Sequence, residues 1–214
     1  MNNLILITGI ERSGSSIIAR ILHIAGINGG AVSSMYENLQ IRYLFNQYLL
    51  EQGVSMADQY PFYTHKGKRL PKGIKTLFDS GIGMYKNAKL FQAWQAWEQL
   101  LPNPKWIIVR RRPYDIVESC EKTAYMHSFK DPVLLSKLSI PTQRQGWLWW
   151  VEQQEKQLAV MANNVNYFEI WPERIAMGDF SQVHQLLDWL GLPWSPKIVK
   201  EITPLMWKSK YRKS

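Results

Sequence analysis

The sequence of 214 residues contains one cysteine, Cys120. A single cysteine excludes an internal disulfide framework and a zinc site built on several thiolates. We expect Cys120 to be a packed thiol rather than a nucleophile. The four histidines are scattered, and no group of His, Asp and Glu has the spacing of metal ligands, so we predict that no metal is bound. The low cysteine content favours a reducing compartment, and we expect a cytoplasmic protein.

The sequence also lacks long apolar runs. None approaches the roughly 20 residues that a membrane-spanning helix needs, since the longest candidates are 4–7 and 147–151. The mean hydropathy is −0.26. No basic stretch or cleavage-like segment precedes the first apolar run, so we expect no signal peptide and no contact with a membrane.

Acidic residues are few relative to basic ones. Seventeen Asp and Glu stand against 26 Lys and Arg, which gives a net charge of +9. The excess is concentrated in 61–75, in 105–112 and in the chain from Lys197 onwards, and it favours an anionic ligand or surface. A basic nucleic-acid-binding domain is one alternative, but the aromatic residues are not interleaved with the basic ones as stacking platforms for bases require.

Predicted strands alternate with predicted helices along the chain. The strands are expected at 4–7, 106–109 and 165–170, and the helices at about 15–25, 37–52, 91–101, 113–125, 144–161 and 179–190. We expect Ser15 or Ser16 to cap the first helix and Asp179 the last one. The pattern predicts a single α/β domain over 1–214, with a parallel central sheet flanked by helices in three layers. Residues 53–84 are rich in Gly, Pro and Lys and are predicted to be irregular.

A glycine-bearing loop joins the first predicted strand to the first predicted helix. Its candidate anion-binding residues are Gly9, Arg12, Ser13, Gly14, Ser15 and Ser16. The two glycines have the spacing of GxxxxGK[ST], and backbone amides in such a loop form a cradle for phosphate. Ser15 stands where that motif has lysine, and the cation is Arg12 instead. A forked guanidinium suits a terminal oxygen-rich group held without a metal, although a nucleotide-dependent kinase lacking the usual lysine remains an alternative.

A second basic segment follows the strand predicted at 106–109. Three consecutive arginines leave this strand, and Pro113 suits the first turn of the next helix. Ser119 follows Arg111 by eight residues and lies about two turns into that helix. By itself this segment is typical of an ordinary helix entry with a solvated basic turn.

Together the two segments resemble the sulfotransferases that use 3′-phosphoadenylyl sulfate (PAPS). Residues 11–16 resemble the family's PRSG[TS]S element, with Glu11 in place of the usual proline. Arg111, Pro113 and Ser119 match the RxPxxxxxS element, although Arg112 stands where Asn or Asp is frequent. Weaker similarity covers the strand at 165–169 and the helix end at 186–192. The resemblance implies a P-loop-NTPase-like sulfotransferase domain.

The resemblance also implies roles for individual residues. The loop from Gly9 to Ser16 would hold the 5′-phosphosulfate of PAPS, with Arg12 as the clamp on the sulfonate or 5′-phosphate. Arg111 and Ser119 would hold the 3′-phosphate.

Two residues outside these segments receive catalytic roles from the same resemblance. Glu37 would be the catalytic base, although a glutamate in the first turn of a helix also complements the helix dipole. Lys86 resembles the family's lysine that meets the bridging oxygen, without the Asp-Pro that usually follows it. His65 remains an alternative base, and Lys89 competes with Lys86.

These inferences predict an enzyme that moves a sulfuryl group from PAPS to an acceptor hydroxyl. The acceptor is expected to be a small molecule or a carbohydrate, and the basic 61–75 segment favours an anionic one. Residues 61–84 and 127–143 are predicted to be loops on the acceptor side, and 195–214 a basic tail. Nucleic acid is not the expected partner.

Overall fold

The computed structural model describes residues 4–63 and 67–206. The described residues form four strands, β1 (Ile5–Thr8), β2 (Met84–Lys86), β3 (Lys105–Val109) and β4 (Tyr167–Ile170). They also form ten α-helices: α1 (Ser15–Ile24), α2 (Leu39–Leu50), α3 (Lys72–Asp79), α4 (Trp94–Leu100), α5 (Pro113–Lys122), α6 (Pro132–Lys137), α7 (Gln143–Ala162), α8 (Pro172–Ala176), α9 (Ser181–Leu190) and α10 (Pro196–Ile202). Short 3-10 turns lie at Leu90–Ala93, Ser128–Lys130 and Thr203–Leu205.

The four strands form one parallel sheet in the order β2-β1-β3-β4. The chain leaves β1 for one edge of the sheet and then crosses to the other side to form β3. The carboxyl ends of β1 and β3 therefore flank the point where the direction of winding reverses, which is where ligands bind in open α/β sheets. The predicted parallel α/β fold is confirmed.

Helices cover both faces of the sheet because the strand residues alternate between two hydrophobic clusters. Leu6 on β1 points into a cluster built with α2, α3, α4, α5 and α7. Its neighbours Ile5 and Ile7 point into a second cluster with α1, α8, α9 and α10. This gives the three layers expected for a sheet that is buried on both sides. No helix in the described part of the chain is long and apolar enough to cross a membrane.

The long helix α7 agrees closely with its predicted range of 144–161. The tryptophans Trp147 and Trp150 are buried, together with Val151 and Leu158. Strands β1 and β3 lie within one residue of their predicted positions. Long or strongly apolar segments were predictable because their own sequence pattern is sufficient to define them.

The prediction that Ser15 or Ser16 caps α1 is wrong. Gly14 is the N-cap, with a left-handed φ of 94°, and no side chain caps this helix. Helix α2 also differs, because it begins at Leu39 with Asn38 as its cap and buries Ile41, Phe45, Tyr48 and Leu49. Leu39, Tyr43 and Leu50 of this helix are exposed.

Residues 53–84 are not irregular throughout. Helix α3 lies within them and buries Ile74 and Phe78, one turn apart, beneath a lysine-rich outer face. Strand β2 begins at Met84 and has three residues, too few for a sequence pattern, and it exists because it pairs with β1.

Two further segments, the predicted loop 127–143 and the predicted tail 195–214, contain helices. Helix α6 and a 3-10 turn occupy part of the predicted loop 127–143. The prediction that Asp179 caps the last helix is wrong, because the N-cap of α9 is Phe180 and a further helix, α10, follows. Asp179 Oδ1 accepts a hydrogen bond from the Ser181 N–H next to this cap. Helix α10 buries Ile198 and Ile202 against the second cluster, so the predicted basic tail is a packed helix in this part. The basic residues beyond Met206 lie outside the described range.

Candidate active site

The loop after β1 lies directly against the end of β3. A Cβ atom on Gly9 would collide with the Val109 carbonyl oxygen and would lie 2.8 Å from Ser13 Oγ. Only glycine permits this approach, which brings the loop beside the arginines that follow β3. Ser13 is buried, and its hydroxyl has no hydrogen-bond partner among the described residues.

Arg12 extends from this loop towards α5. Its backbone has a left-handed φ of 73°, a conformation that is unfavourable for a residue with a side chain. Its Nε donates to Ser119 Oγ at 2.9 Å, and its NH1 donates to the Tyr125 hydroxyl at 2.6 Å. The guanidinium also lies 5.7 Å from the centre of the Tyr125 ring. The predicted clamp of the loop is therefore held beside the residue predicted to bind the 3′-phosphate.

Arg111 joins the same group from the end of β3. Its NH1 donates to the backbone carbonyl of Arg12 at 2.8 Å. Burial lowers the pKa of Arg111, while the nearby acids Asp115 and Glu173 oppose this shift. An arginine retains its charge under such conditions, so two guanidinium groups lie close together here.

Glu37 and Lys86, which are 49 positions apart in the chain, form an ion pair. Lys86 Nζ lies 3.2 Å from Glu37 Oε1, and the two side chains are 6% and 13% exposed. Asn87 Nδ2 donates to the same oxygen at 3.4 Å, and Arg42 Nε lies 3.3 Å from Oε2. Asn38 caps α2, so Glu37 lies before the first turn of this helix, and its carboxylate contacts the lysine. Strand β2 places Lys86 at the carboxyl end of the sheet, beside β1.

A second acid and a second lysine lie next to this pair. Burial raises the pKa of Glu11, while the charges of Lys89 and Lys86 and a hydrogen bond with Gln59 oppose the shift. Lys89 Nζ donates to the backbone carbonyl of Ser55 at 2.9 Å and to that of Asp58. Lys89 therefore anchors the segment around 55–58, whereas Lys86 pairs with Glu37.

A cavity of about 580 Å³ connects these groups. Its walls include Arg12, Arg111, Glu37 and Lys86, together with the backbone of the loop at Gly14. Ser15 and Ser16 also line it, so the predicted loop contacts the cavity with several of its members. Ser119, which lies in the described part of the chain, does not line the cavity. The volume is in the range of small-molecule sites in proteins.

Eight residues that line the cavity were not singled out from the sequence as site residues. They include Met56, Arg42, Tyr125 and His127, which come from segments without a recognisable motif. His127 Nε2 lies 3.1 Å from Asp58 Oδ1, which ties two of these segments together. Only the packing of the chain could reveal them, since their spacing in sequence carries no pattern.

The predicted acceptor-side loops contribute little to the described cavity. His127 is the one described member of 127–143 that lines it, and no described member of 61–84 does so. His65, the alternative base, lies outside the described residues. No group of His, Cys, Asp and Glu in the described residues could hold a metal ion.

Comparisons with known proteins gave structural matches only. No family model matches the sequence, and no curated protein matches it. The crystal structure of the sulfotransferase STF9 from Mycobacterium avium is similar with a TM-score of 0.54 at 10% identity, over 95% of this chain and 67% of that chain. The sulfotransferase STF1 from Mycobacterium tuberculosis is similar with a TM-score of 0.52 at 13% identity, over 96% of this chain and 72% of that chain.

At these identities the similarity establishes the fold. It extends over nearly the whole chain, so it is not limited to one loop or motif. The expected fold is thereby confirmed: the chain folds as these sulfotransferases do, with a parallel sheet flanked by helices.

Proposed function

We propose that this protein is a sulfotransferase that moves a sulfuryl group from PAPS to an acceptor hydroxyl. The observation that carries the proposal is the cavity at the carboxyl edge of the sheet. It is lined by Arg12 and Arg111 as well as by the Glu37–Lys86 pair. Cations for a phosphate-bearing donor and an acid–lysine pair for proton transfer thus line one cavity.

The residues present fit such a donor. The loop brings backbone amides to the start of α1, and no acidic residue in the first turn of that helix would repel an anion. The buried Ser13 hydroxyl lacks a partner among the described residues. Ser15 stands in the position of the lysine that contacts the β- and γ-phosphates in ATP-dependent P-loop enzymes, which favours PAPS over ATP.

The donor, when bound, supplies the sulfuryl group and leaves as adenosine 3′,5′-bisphosphate. Glu37 would accept the proton of the acceptor hydroxyl on its carboxylate as the new S–O bond forms. Lys86 would neutralise the negative charge that develops on the departing phosphate. The 3.2 Å contact with Lys86 also fixes Glu37 in place before the acceptor arrives. Lys89 is committed to backbone carbonyls, so Lys86 is the better candidate for this role.

The acceptor would enter from the side of Glu37. Met35, Met56 and Ala57 line the cavity there, and Arg42 lies at the rim with a half-exposed side chain. Apolar walls with one cation suit a small-molecule hydroxyl that carries an anionic group. A carbohydrate acceptor remains part of the proposal. The basic residues Lys68 and Arg69 of 61–75 favour a carbohydrate that carries negative charge.

Calorimetric titration with adenosine 3′,5′-bisphosphate tests the donor site. We expect binding that does not require Mg²⁺ and that weakens roughly 10- to 100-fold in Arg111→Ala, because a half-buried guanidinium is lost. Arg112→Ala is the matched control, since Arg112 is the exposed neighbour, and its affinity should remain within about threefold of the wild type. Binding of Mg·ATP with no binding of the bisphosphate would instead favour a kinase and contradict the proposal.

A further inference from the structure

We propose that the chain segment 55–59, which we call the strap, selects the acceptor, and that Lys89 holds the strap in place without taking part in the chemistry. The inference rests on the proposed function, because it concerns the acceptor side of the same cavity. Lys89 is then a positioning residue, and Met56 is the residue on which the carbon skeleton of the acceptor rests.

The strap has no regular secondary structure of its own. Helix α2 ends at Leu50 and α3 begins at Lys72, and the described residues between them form no helix or strand. Gln59 at the end of the strap is buried, whereas Met56 is half-buried and Ala57 is exposed. Both Met56 and Ala57 line the cavity. The shape of this wall therefore depends on contacts from other parts of the chain.

Lys89 supplies two of these contacts. Its Nζ donates to the backbone carbonyl of Ser55 at 2.9 Å and to that of Asp58, so one ammonium group joins two points of the strap. Lys89 is 4% exposed, and its own N–H donates to Asn87 Oδ1 at 2.8 Å. Burial lowers the pKa of Lys89, while the charges of Glu11 and Asp58 oppose the shift. Two of the three N–H donors of this buried group thus serve the backbone of the strap.

Gln59 fixes the far end of the strap by separate contacts. Its Oε1 accepts from the N–H groups of His127 and Ser128, each at 3.2 Å. Its own N–H donates to Ser128 Oγ at 3.1 Å, and its carbonyl accepts from Trp150 Nε1 at 2.9 Å. Loss of the Lys89 ammonium should therefore loosen 55–58 while Gln59 stays in place.

The strap lies beside the proposed base. Asn87 Nδ2 donates to Glu37 Oε1 at 3.4 Å and lies 3.6 Å from Met56 Sδ. An acceptor whose hydroxyl reaches Glu37 would bring its adjoining carbon atoms onto Met56, whose flexible side chain adapts to partners of different shape. Met56 and Ala57 together favour an acceptor with an apolar skeleton next to its hydroxyl over a sugar.

Two lysines three positions apart allow a matched test. Transfer from radiolabelled PAPS is measured with the best acceptor among phenols, sugars and alcohols. In Lys89→Met we expect the KM for the acceptor to rise roughly 10-fold and kcat to stay within about threefold, because the wall contacts the acceptor equally before and during the reaction. The affinity for adenosine 3′,5′-bisphosphate should also stay within about threefold. In Lys86→Met we expect kcat itself to fall at least about 10-fold.

Other patterns in the same measurements would overturn the inference. A fall in kcat as large as that of Lys86→Met, with an unchanged KM, would show that Lys89 acts on the reaction itself. Unchanged kcat and KM would show that the acceptor does not depend on Lys89. Either result leaves the proposed function in place, since the wild type still transfers the sulfuryl group. If wild-type protein neither binds the bisphosphate nor transfers, the proposed function fails and the acceptor role of the strap fails with it.

Met56→Ala tests the contact with the acceptor even if Lys89→Met does not fold. The anchors of the strap remain, so we expect the KM for apolar acceptors to rise several-fold, with kcat and the KM for sugars unchanged. Met177→Ala, which alters a methionine that is 50% exposed after α8, is the matched control and should change neither constant. A wild-type preference for sugars, or an equal rise in KM for both classes, would contradict the role of Met56.

Limited proteolysis tests the hold of Lys89 on the strap without any acceptor. A protease of broad specificity should cleave within 55–58 several-fold faster in Lys89→Met than in the wild type or in Lys86→Met, because local opening exposes the backbone there. Mass spectrometry locates the cleavage. Equal rates in the three proteins, or faster cleavage spread over the whole chain, would show that Lys89 does not specifically hold this segment.

Discussion

At one part of the cavity wall two arginines from different loops lie together, whereas at another part acids lie beside lysines. We call the first the arginine wall (Arg12, Arg111) and the second the acid–lysine wall (Glu11, Glu37, Lys86, Lys89). The formal charges of the second cancel, and those of the first do not. Ionic groups buried without such pairing are costly, so an arrangement that gathers positive charge suits an anionic ligand, and a neutral one suits proton transfer.

The two walls also differ in the type of cation. A guanidinium keeps its charge and offers a planar fork for oxygen atoms, while a lysine is a point charge whose pKa responds to burial. Burial lowers the pKa of Lys89 and raises that of Glu11, so both shift towards the neutral form. Charge is therefore fixed on the arginine wall, whereas on the acid–lysine wall it responds to burial.

The largest effect is expected from breaking the acid–lysine wall. Glu37→Gln should lower kcat by roughly 10²- to 10⁴-fold, because the acceptor proton loses its base. The affinity for adenosine 3′,5′-bisphosphate should change little, since that ligand depends on the other wall. The measurement is transfer from radiolabelled PAPS to a panel of phenols, sugars and alcohols. Glu51→Gln, an exposed glutamate after α2, is the matched control; loss of donor binding in Glu37→Gln would contradict the division of labour.

The next largest effect is expected from a substitution that displaces the loop after β1, which carries Arg12. Gly9→Ala should destabilise the protein by about 1–3 kcal/mol, because the new Cβ collides with the Val109 carbonyl oxygen. The melting temperature reports this loss, and calorimetry should show weaker binding of the bisphosphate. Gly73→Ala in α3 serves as control, since its added Cβ meets only a Leu44 methyl at 3.3 Å. Equal melting temperatures for the two variants would refute the steric requirement at Gly9.

A smaller effect tests whether charge on the acid–lysine wall is adjustable. The folded-state pKa of Glu11 lies above its ordinary value of 4.5, so between these two values the folded protein binds more protons than the unfolded chain. The free energy of unfolding should therefore fall as the pH rises through that window, because ionised Glu11 is less favourable in the folded protein than in the unfolded chain. In Glu11→Gln this pH dependence disappears, and the variant gains stability relative to the wild type as the pH rises. Urea titrations from about pH 4 to about pH 8 measure the difference.

The control for this titration is Glu152→Gln, which alters an exposed glutamate of α7. Its stability relative to the wild type should vary little over the same pH range, because an exposed ion pair contributes little. If the stability of both glutamine variants changed with pH in the same way, the pH dependence could not be attributed to the burial of Glu11.

The smallest effect concerns the helix behind the arginine wall. Burial raises the pKa of Cys120 to about 12, so the thiolate that reacts with disulfide reagents is scarce at neutral pH. We expect no labelling of the folded protein within the time that labels the unfolded chain completely. Rapid labelling under native conditions would show that α5 opens beside Ser119 and that this wall is less rigid than its contacts indicate.

The residues that carry the two recognised motifs were predictable because each motif lies within one short stretch of chain. Gly9 to Ser16 follows a buried strand, and Arg111 to Ser119 enters a helix, so local spacing was sufficient to place both at a strand end. The contact between Arg12 and Ser119 was not predictable in the same way, since this 2.9 Å hydrogen bond joins residues 107 positions apart.

The sequence by itself determined the parallel α/β architecture and showed that Ser15 stands where the GxxxxGK[ST] motif has lysine. Apolar strands, amphipathic helices and the spacing of glycines depend on neighbouring residues, whose energies are local. The tertiary structure alone decided that Glu37 meets Lys86, that β2 exists, and that Met56, Tyr125 and His127 enclose the cavity with them. These contacts depend on segments that meet only when the chain is folded, and the closure of long loops leaves no signature in local sequence.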